Sequence, residues 1–268
     1  MTATGGFFLA SMHHVNIVLY IMMIAGLSLV IASGCVINNY IDRDIDALME
    51  RTCNRVLVRN LIPLKHALIY GVVQGLLGVV ILFFYTNVLT LILTLVAWIV
   101  YVGVYSLWAK RNTIHSTILG AISGAMPPVV GYVAVTSSID FAAILLFIIL
   151  IAWQMPHFFA IALRRQTEFA AAHIPVMPLV QGVHKTKVSM LVYVIIFTLA
   201  TYTLFIKGYV GYWYLAVISI IDLLWIVLAV QGFWTRDDKK WAKYMFLFSL
   251  VVILLFSLMI GIDGDISR

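Results

Sequence analysis

The sequence predicts an all-α fold, a polytopic transmembrane helical bundle, and three observations carry that prediction. Of its 268 residues, 63% are hydrophobic and only 10% charged, with a mean hydropathy of +1.07. The apolar residues fall in runs of about 20, the length that crosses the hydrocarbon core as a helix. These runs lack the alternation of apolar and polar residues that a membrane β-barrel needs. A water-soluble domain is excluded, and the short connections leave one integral-membrane domain over residues 1–268.

Taken in order, residues 5–11 (GGFFLAS) are apolar but too short to span, and no basic segment precedes them as in a signal peptide. They read as the tail of a helix whose beginning is absent. Complete spans follow near 16–38, 66–86, 88–108, 115–136, 140–163, 188–206, 211–232 and 241–261. Gly71 with Gly75, and Gly120 with Gly124, put small residues four apart, which lets helices approach closely in lipid. Pro127 and Pro128 predict a kink or local unwinding in the fourth span. The 164–187 connection reads RRQTEFAAAHIPVMPLVQGVHKTK. Its Ala-rich 167–173 stretch predicts a short interfacial helix, and Pro175, Pro178 and Gly182 then turn the chain back. A connection this long is a candidate lid.

The net charge of +6 is distributed by position. Arg43 to Lys65, Lys110–Arg111, Arg164 to Lys187 and Arg236 to Lys243 all occupy alternate connections. Of the 17 Lys and Arg, only Lys207 and Arg268 fall on the other side. By the positive-inside rule the basic side is cytoplasmic, and this pattern argues against nucleic acid as the partner. Cys35 and Cys53 lie near that same side and read as free thiols. His13 and His14 lie on the opposite side and carry no signal.

The polar heart of the chain is residues 38–55, NNYIDRDIDALMERTCNR. Asn38, Asp42, Asp46 and Glu50 recur every four residues, the spacing of one helix face. Stacked carboxylates repel by a few tenths of a kcal/mol per pair, and more beside a low-dielectric membrane. A bridging cation converts that penalty into a binding site, and hard oxygen ligands suit Mg²⁺ shared with phosphate oxygens. Asp44 is rotated about 200° from Asp42 and is expected to face headgroups or an arginine. Arg51, Arg55 and Arg59 continue four apart, and guanidinium forks suit a diphosphate, although topogenic charge alone also accounts for Arg59. Lys110 and Arg111 either grip phosphate or anchor their helix in the headgroups.

Three further residues stand out. His157 follows Pro156 near the basic end of a span; it is a packing histidine, a proton-transfer group or a haem ligand. Glu168 reads as a surface carboxylate. Asp222 sits near the middle of a span, where an unpaired charge costs several kcal/mol.

NNYIDRDIDALMERTCNRVL resembles the first aspartate-rich motif of the UbiA superfamily of intramembrane prenyltransferases, and within it the branch that farnesylates haem. The likeness continues in YVGVYSLWAKRNTIHSTILGAISGAMPPVVGY at 101–132 and WQMPHFFAIALRRQTEFAAAHIPVMPLV at 153–180, so it covers nearly the whole chain. The resemblance implies a nine-helix architecture whose first helix is largely missing from this sequence. It implies that Asn38, Asp42 and Asp46 act catalytically by holding Mg²⁺ against a prenyl diphosphate, with Arg51, Arg55, Lys110 and Arg111 on the diphosphate. Where quinone-pathway relatives carry a second aspartate-rich motif, this chain has Gln154, His157 and Glu168. The resemblance gives His157 a contact to haem and makes Glu168 the second-motif carboxylate. The implied reaction joins farnesyl diphosphate to a vinyl group of haem b with addition of water, giving haem O for haem-copper terminal oxidases. Haem A synthase or a terminal oxidase assembly is the implied partner, membrane lipid the surroundings, and the bacterial inner membrane the location. A quinone-precursor prenyltransferase and a non-catalytic haem-binding protein are the competing expectations.

Overall fold

In hydrocarbon every backbone N–H and C=O must be satisfied within the segment, and a helix does this alone. The computed structural model describes residues 1–11 and 14–264, and His13 and Arg268 lie outside the described residues. A helix α1 (Thr2–Ser11) comes first, followed by α2 (Ile17–Ile41), a short α3 (Arg43–Asp46) and α4 (Leu64–Tyr85). Next is α5 (Val88–Ile99), which runs on as a π-helix over Val100–Ala109 and ends in α6 (Lys110–Asn112). Then come α7 (Ser116–Gly124), α8 (Met126–Thr136), α9 (Phe141–Arg164), α10 (Gln166–Ala171) and α11 (Met177–Val180). The chain closes with α12 (Gly182–Ile206), α13 (Tyr212–Gln231) and α14 (Asp238–Ile262). Among the described residues, eight helical segments are long and apolar enough to cross a membrane, matching the number expected.

Four of the spans begin where a short polar side chain caps exposed N–H groups. Asn16, Asn87, Asp140 and Asp237 accept from the backbone of Leu19, Thr90, Ala143 and Lys240. The sixth span starts at Gly182, six residues before the expected 188, because His184, Lys185 and Lys187 continue the helix beyond the hydrocarbon. Lys187 pairs with Asp238 and lies over the Trp241 ring, so its charge is matched where it emerges. The fourth span breaks at Ala125, between α7 and α8, where Pro127 and Pro128 remove backbone donors. Gln154 on α9 donates to the Ala121 carbonyl just before that break.

Small residues set the packing. Gly71 meets Val36 and Ile37 of α2, and Gly75 meets Ser33. The N-terminal segment is a buried helix against α8 and α14. A Cβ on Gly6 would come within 2.0 Å of the Pro128 carbonyl oxygen, so only glycine allows that approach. The main apolar core lies among α8, α9, α12, α13 and α14, with Tyr132, Phe197, Tyr214, Trp225 and Phe256 fully enclosed. A separate small core joins connections on the basic side: Ile45 and Met49 meet Ala162, Ala172, Ile174 and Val176, with Phe169 beside them. The expected interfacial helix is α10, and the 164–176 segment folds over the first connection. Cys35 and Cys53 are free.

Candidate functional site

The helical turn continues past the end of α2: Asp42 N–H donates to the Asn38 carbonyl and Asp46 N–H to that of Asp42, both at 2.8 Å. Asn38, Asp42 and Asp46 therefore stay on one side, and all three are buried. Glu50 does not join them. The helix ends at Asp46 and the chain turns, leaving Glu50 exposed, so the four-member row is corrected to three.

Each carboxylate carries a cation. Asp42 Oδ2 accepts from Lys110 Nζ and from Asn38 Nδ2, the latter at 2.8 Å. Asp46 Oδ2 accepts from Arg55. Asn38 Nδ2 also donates to Ser106 Oγ at 2.9 Å, so its amide nitrogen is spent and its carbonyl oxygen is the free end. Ser106 Oγ in turn donates to the Tyr101 carbonyl within the π-helix. Asp42 Oδ1 is enclosed with no hydrogen-bond partner among the described residues, and Arg111 Nη2 lies 3.9 Å from it.

This cluster closes one end of a cavity of about 490 Å³. Asn38, Asp46, Arg51, Arg55 and Lys110 form its polar end, while Tyr105, Phe158, Phe169 and Phe246 line other parts. Asp42 sits behind that lining, 0% exposed. Tyr101, Gly120 and Phe158 also line a second cavity of about 220 Å³, whose remaining walls include Leu27, Val30, Trp98 and Val130. The polar chamber thus adjoins an apolar one inside the membrane. Tyr101 and Tyr105 stack at 5.8 Å between ring centres, and the π-helical turn carries both. π-Helical segments are rare and gather at functional sites.

Arg51 is held at the cavity by the other connection. Its backbone N–H donates to Glu168 Oε2 at 3.3 Å, and Arg165 donates to Oε1 at 2.6 Å. Glu168 is therefore a clasp between two connections and not a plain surface carboxylate. Burial and the neighbouring Arg55 and Arg165 charges lower the Arg51 pKa.

Other expected residues go elsewhere. Arg111 turns out of the cavity, its fork spent on both Asp44 oxygens at 2.7 Å and on the Ile41 carbonyl. Asp44 thus faces an arginine, as its rotation predicts. Arg59 is exposed. His157 stands one layer behind the cavity wall, stacked on Trp153 and against Phe246, each at 4.9 Å, and hydrogen-bonded to Ser249. Sequence reasoning missed Tyr101, Ser106, Arg165 and Phe246, which only the folded bundle brings to the site.

Among the described residues no three His, Cys, Asp or Glu gather around one point. The donor set here is two carboxylates and an amide oxygen, with one carboxylate oxygen orphaned. That is an all-oxygen set fit for Mg²⁺.

Residues 1–251 match the UbiA prenyltransferase family. The chain is 48% identical over 265 residues to protoheme IX farnesyltransferase 2 of Pseudomonas putida strain GB-1, covering 99% of this chain and 90% of that one. It is 46% identical over 266 residues to protoheme IX farnesyltransferase of Photorhabdus laumondii, with 99% and 90% covered. The fold matches a digeranylgeranylglyceryl phosphate synthase with TM-score 0.81 at 19% identity, covering 97% of this chain and 92% of that one. A UbiA homolog from Archaeoglobus fulgidus bound to DMAPP and Mg²⁺ matches with TM-score 0.66 at 15% identity, covering 97% and 94%.

Proposed function

This chain belongs to the UbiA prenyltransferase family, and we propose that it transfers the farnesyl group of farnesyl diphosphate to a vinyl group of protohaem IX, giving haem O. The observation that carries the reading is the neighbouring pair of chambers: an oxygen-rich, cation-flanked polar cavity that shares Tyr101, Gly120 and Phe158 as wall with an apolar pocket within the bundle. The protein is a multi-pass membrane protein. The excess of Lys and Arg in its alternate connections supports a cytoplasmic orientation for the polar end, and the membrane we assign is the bacterial inner membrane.

Asn38, Asp42 and Asp46 would hold Mg²⁺, whose charge neutralises diphosphate oxygens as the leaving group forms. Arg51, Arg55 and Lys110 line the same end and bind the remaining diphosphate oxygens. Because Lys110 already sits against Asp42 and Arg55 against Asp46, both carboxylates are paired before substrate arrives. Arg111 is left out of the grip, since Asp44 holds it. The farnesyl tail lies in the apolar chamber, where Leu27, Val30 and Val130 exclude water from the allylic carbon. Tyr101 and Trp98 line that chamber, and aromatic rings beside it favour a developing cation.

As the C–O bond breaks, its electron pair leaves with the diphosphate. The vinyl π electrons form the new C–C bond, and the cation produced beside the porphyrin ring takes up water, which then loses a proton. His157 contacts the haem, and Glu168 keeps Arg51 and Arg165 in place. The product serves a haem-copper oxidase or the enzyme that further oxidises haem O.

The test is direct. Purified protein receives haem b, farnesyl diphosphate and Mg²⁺, and the pigments are separated by chromatography. A more hydrophobic haem heavier by one farnesyl group and one hydroxyl group is expected. Prenylation of 4-hydroxybenzoate in its place would assign a quinone precursor, and haem binding without turnover would make the chain a carrier.

A further inference from the structure

One carboxylate and five cations line the larger cavity: Asp46 with Arg51, Arg55, Lys110, Arg164 and Arg165. Three of the cations are paired, Lys110 with Asp42, Arg55 with Asp46 and Arg165 with Glu168. The Arg51 and Arg164 side chains have no ion pair among the described residues. Arg51 stands with Arg55 and Lys110 at the end assigned to the diphosphate. Arg164 stands apart from them.

Arg164 and Arg165 are neighbours at the end of α9, about 100° apart around the helix. Arg165 reaches Glu168, which also holds the first connection at Arg51. The Arg164 guanidinium lies instead over the ring of Phe246 on α14, 5.7 Å from its centre. Phe246 lines the same cavity, so the charged head of Arg164, and not only its stem, is held at that wall. In the bundle α14 packs against α1, α9 and α13, whereas Asn38, Asp46 and Lys110 come from α2, α3 and α6. The cavity thus has two points that attract anions, on walls built from different helices. A cation without a carboxylate is tolerated at the second because the C-terminal end of α9 carries negative dipole charge and the ring face adds to it. Neither consumes the fork of guanidinium N–H groups, which is left for a ligand. A planar carboxylate matches it through two parallel hydrogen bonds.

We propose that Arg164, seated on Phe246, binds a carboxylate of the prenyl acceptor; resting on the reading of protohaem IX as that acceptor, the carboxylate is a haem propionate. The two propionates occupy one half of the porphyrin and the two vinyl groups the other. Holding the propionate half at the wall of α9 and α14 turns the vinyl half toward Asp46 and Arg55, where the diphosphate leaves. Arg164 is half-buried, and the other anion within its reach is a lipid phosphate at the membrane surface. Masking the propionates separates the two.

Ferric protohaem IX and its dimethyl ester are titrated by absorption into purified wild-type, Arg164→Gln and Arg164→Lys proteins in detergent, and KM for farnesyl diphosphate is measured beside them. Each pigment enters the micelles equally whichever protein is present, so the proteins are compared pigment by pigment. Arg164→Gln should lose about tenfold in affinity for the diacid, the scale of a charge-assisted pair, with ester affinity and farnesyl diphosphate KM within about twofold of wild type. Retained ester binding shows in the same sample that the variant is folded. Arg164→Lys, which keeps the charge without the fork, should fall between the two. Equal losses for diacid and ester, or no loss for either, overturn the propionate contact and leave Arg164 a headgroup anchor. A raised KM for farnesyl diphosphate with unchanged haem affinity also overturns it, and moves Arg164 to the diphosphate. The reading of haem as acceptor fails separately, if the wild-type enzyme makes no farnesylated haem. The same variants are then compared on 4-hydroxybenzoate and its methyl ester, where equal KM changes would overturn carboxylate binding altogether.

Discussion

Asp42 and Asp222 are both carboxylates sealed inside the bundle, 0% and 1% exposed, and each has one oxygen without a partner. Their neighbours differ. Asp42 has Lys110, Asn38 and, four residues on, a second carboxylate at the wall of a large cavity. Asp222 accepts from the Thr201 hydroxyl at 3.0 Å, has no ion pair among the described residues and lines none of the described cavities. Burial and an orphan oxygen thus do not make a site. A buried carboxylate becomes one where opposite charge, further oxygen donors and empty space converge on it. Away from them it is a cost that the bundle carries, and Asp222 is most cheaply kept uncharged.

The comparison breaks most easily at its strong end. Asp42→Ala and Asp46→Ala should each lower turnover by at least ~100-fold, the scale on which removing transition-state charge stabilisation acts. Haem binding, measured by absorption titration, should persist in both, since neither residue belongs to the His157 wall. Loss of haem binding in both would make the row structural. Glu168→Gln comes next. The amide keeps an acceptor for Arg51 N–H but gives up the charge facing Arg165. A charge-assisted contact of roughly 1 kcal/mol corresponds to about a fivefold change, read as a raised KM for farnesyl diphosphate. A fall in kcat with KM unchanged would place Glu168 in the chemistry instead.

The weak end is Asp222→Asn. The amide oxygen can still accept from Thr201, and no buried charge remains. Turnover should stay within ~threefold of wild type, a barrier change of about 0.6 kcal/mol, and the melting point in detergent should hold or rise. A loss as large as that of Asp42→Ala would dissolve the contrast between the two carboxylates.

What the sequence disclosed follows the range of each interaction. The spacing of Asn38, Asp42 and Asp46 was legible because a helical turn is local, and Glu50 misled because nothing local announces that the turn ends at Asp46. The eight spans were legible from hydropathy, yet the start of α12 was not, since Lys187 pays for its place through Asp238, far along the chain. The π-helix carries no periodic signature. It is held in part by the Ser106 bond to the Tyr101 carbonyl and by Asn38 from another helix. The Arg51–Glu168 clasp joins residues 117 apart, a contact that only tertiary structure shows.

The smallest effect is the most discriminating test of how Asp42 keeps its oxygen free. Arg111 Nη2 lies 3.9 Å from Asp42 Oδ1, and the bidentate grip of Asp44 holds it there. Hydrogen bonding to Arg111 lowers the Asp44 carboxyl to about 2. A folded-state pKa below the unfolded one contributes stability that is fully present above about pH 4 and lost as pH falls toward 2. The pair is therefore intact throughout the enzyme's working range, and at 61% exposure of Asp44 it adds no more than ~1 kcal/mol. Asp44→Asn should leave the melting point at pH 7 nearly unchanged. Its consequence lies instead with Arg111, which is then free to move onto the orphan oxygen of Asp42 and compete there with a cation. Half-saturation for Mg²⁺ should rise by about twofold or threefold, a shift of well under 1 kcal/mol, with kcat at saturating Mg²⁺ preserved. An unchanged Mg²⁺ requirement would mean that Asp42 Oδ1 is not a point where the cation binds, and the orphan oxygens of Asp42 and Asp222 would then be alike after all.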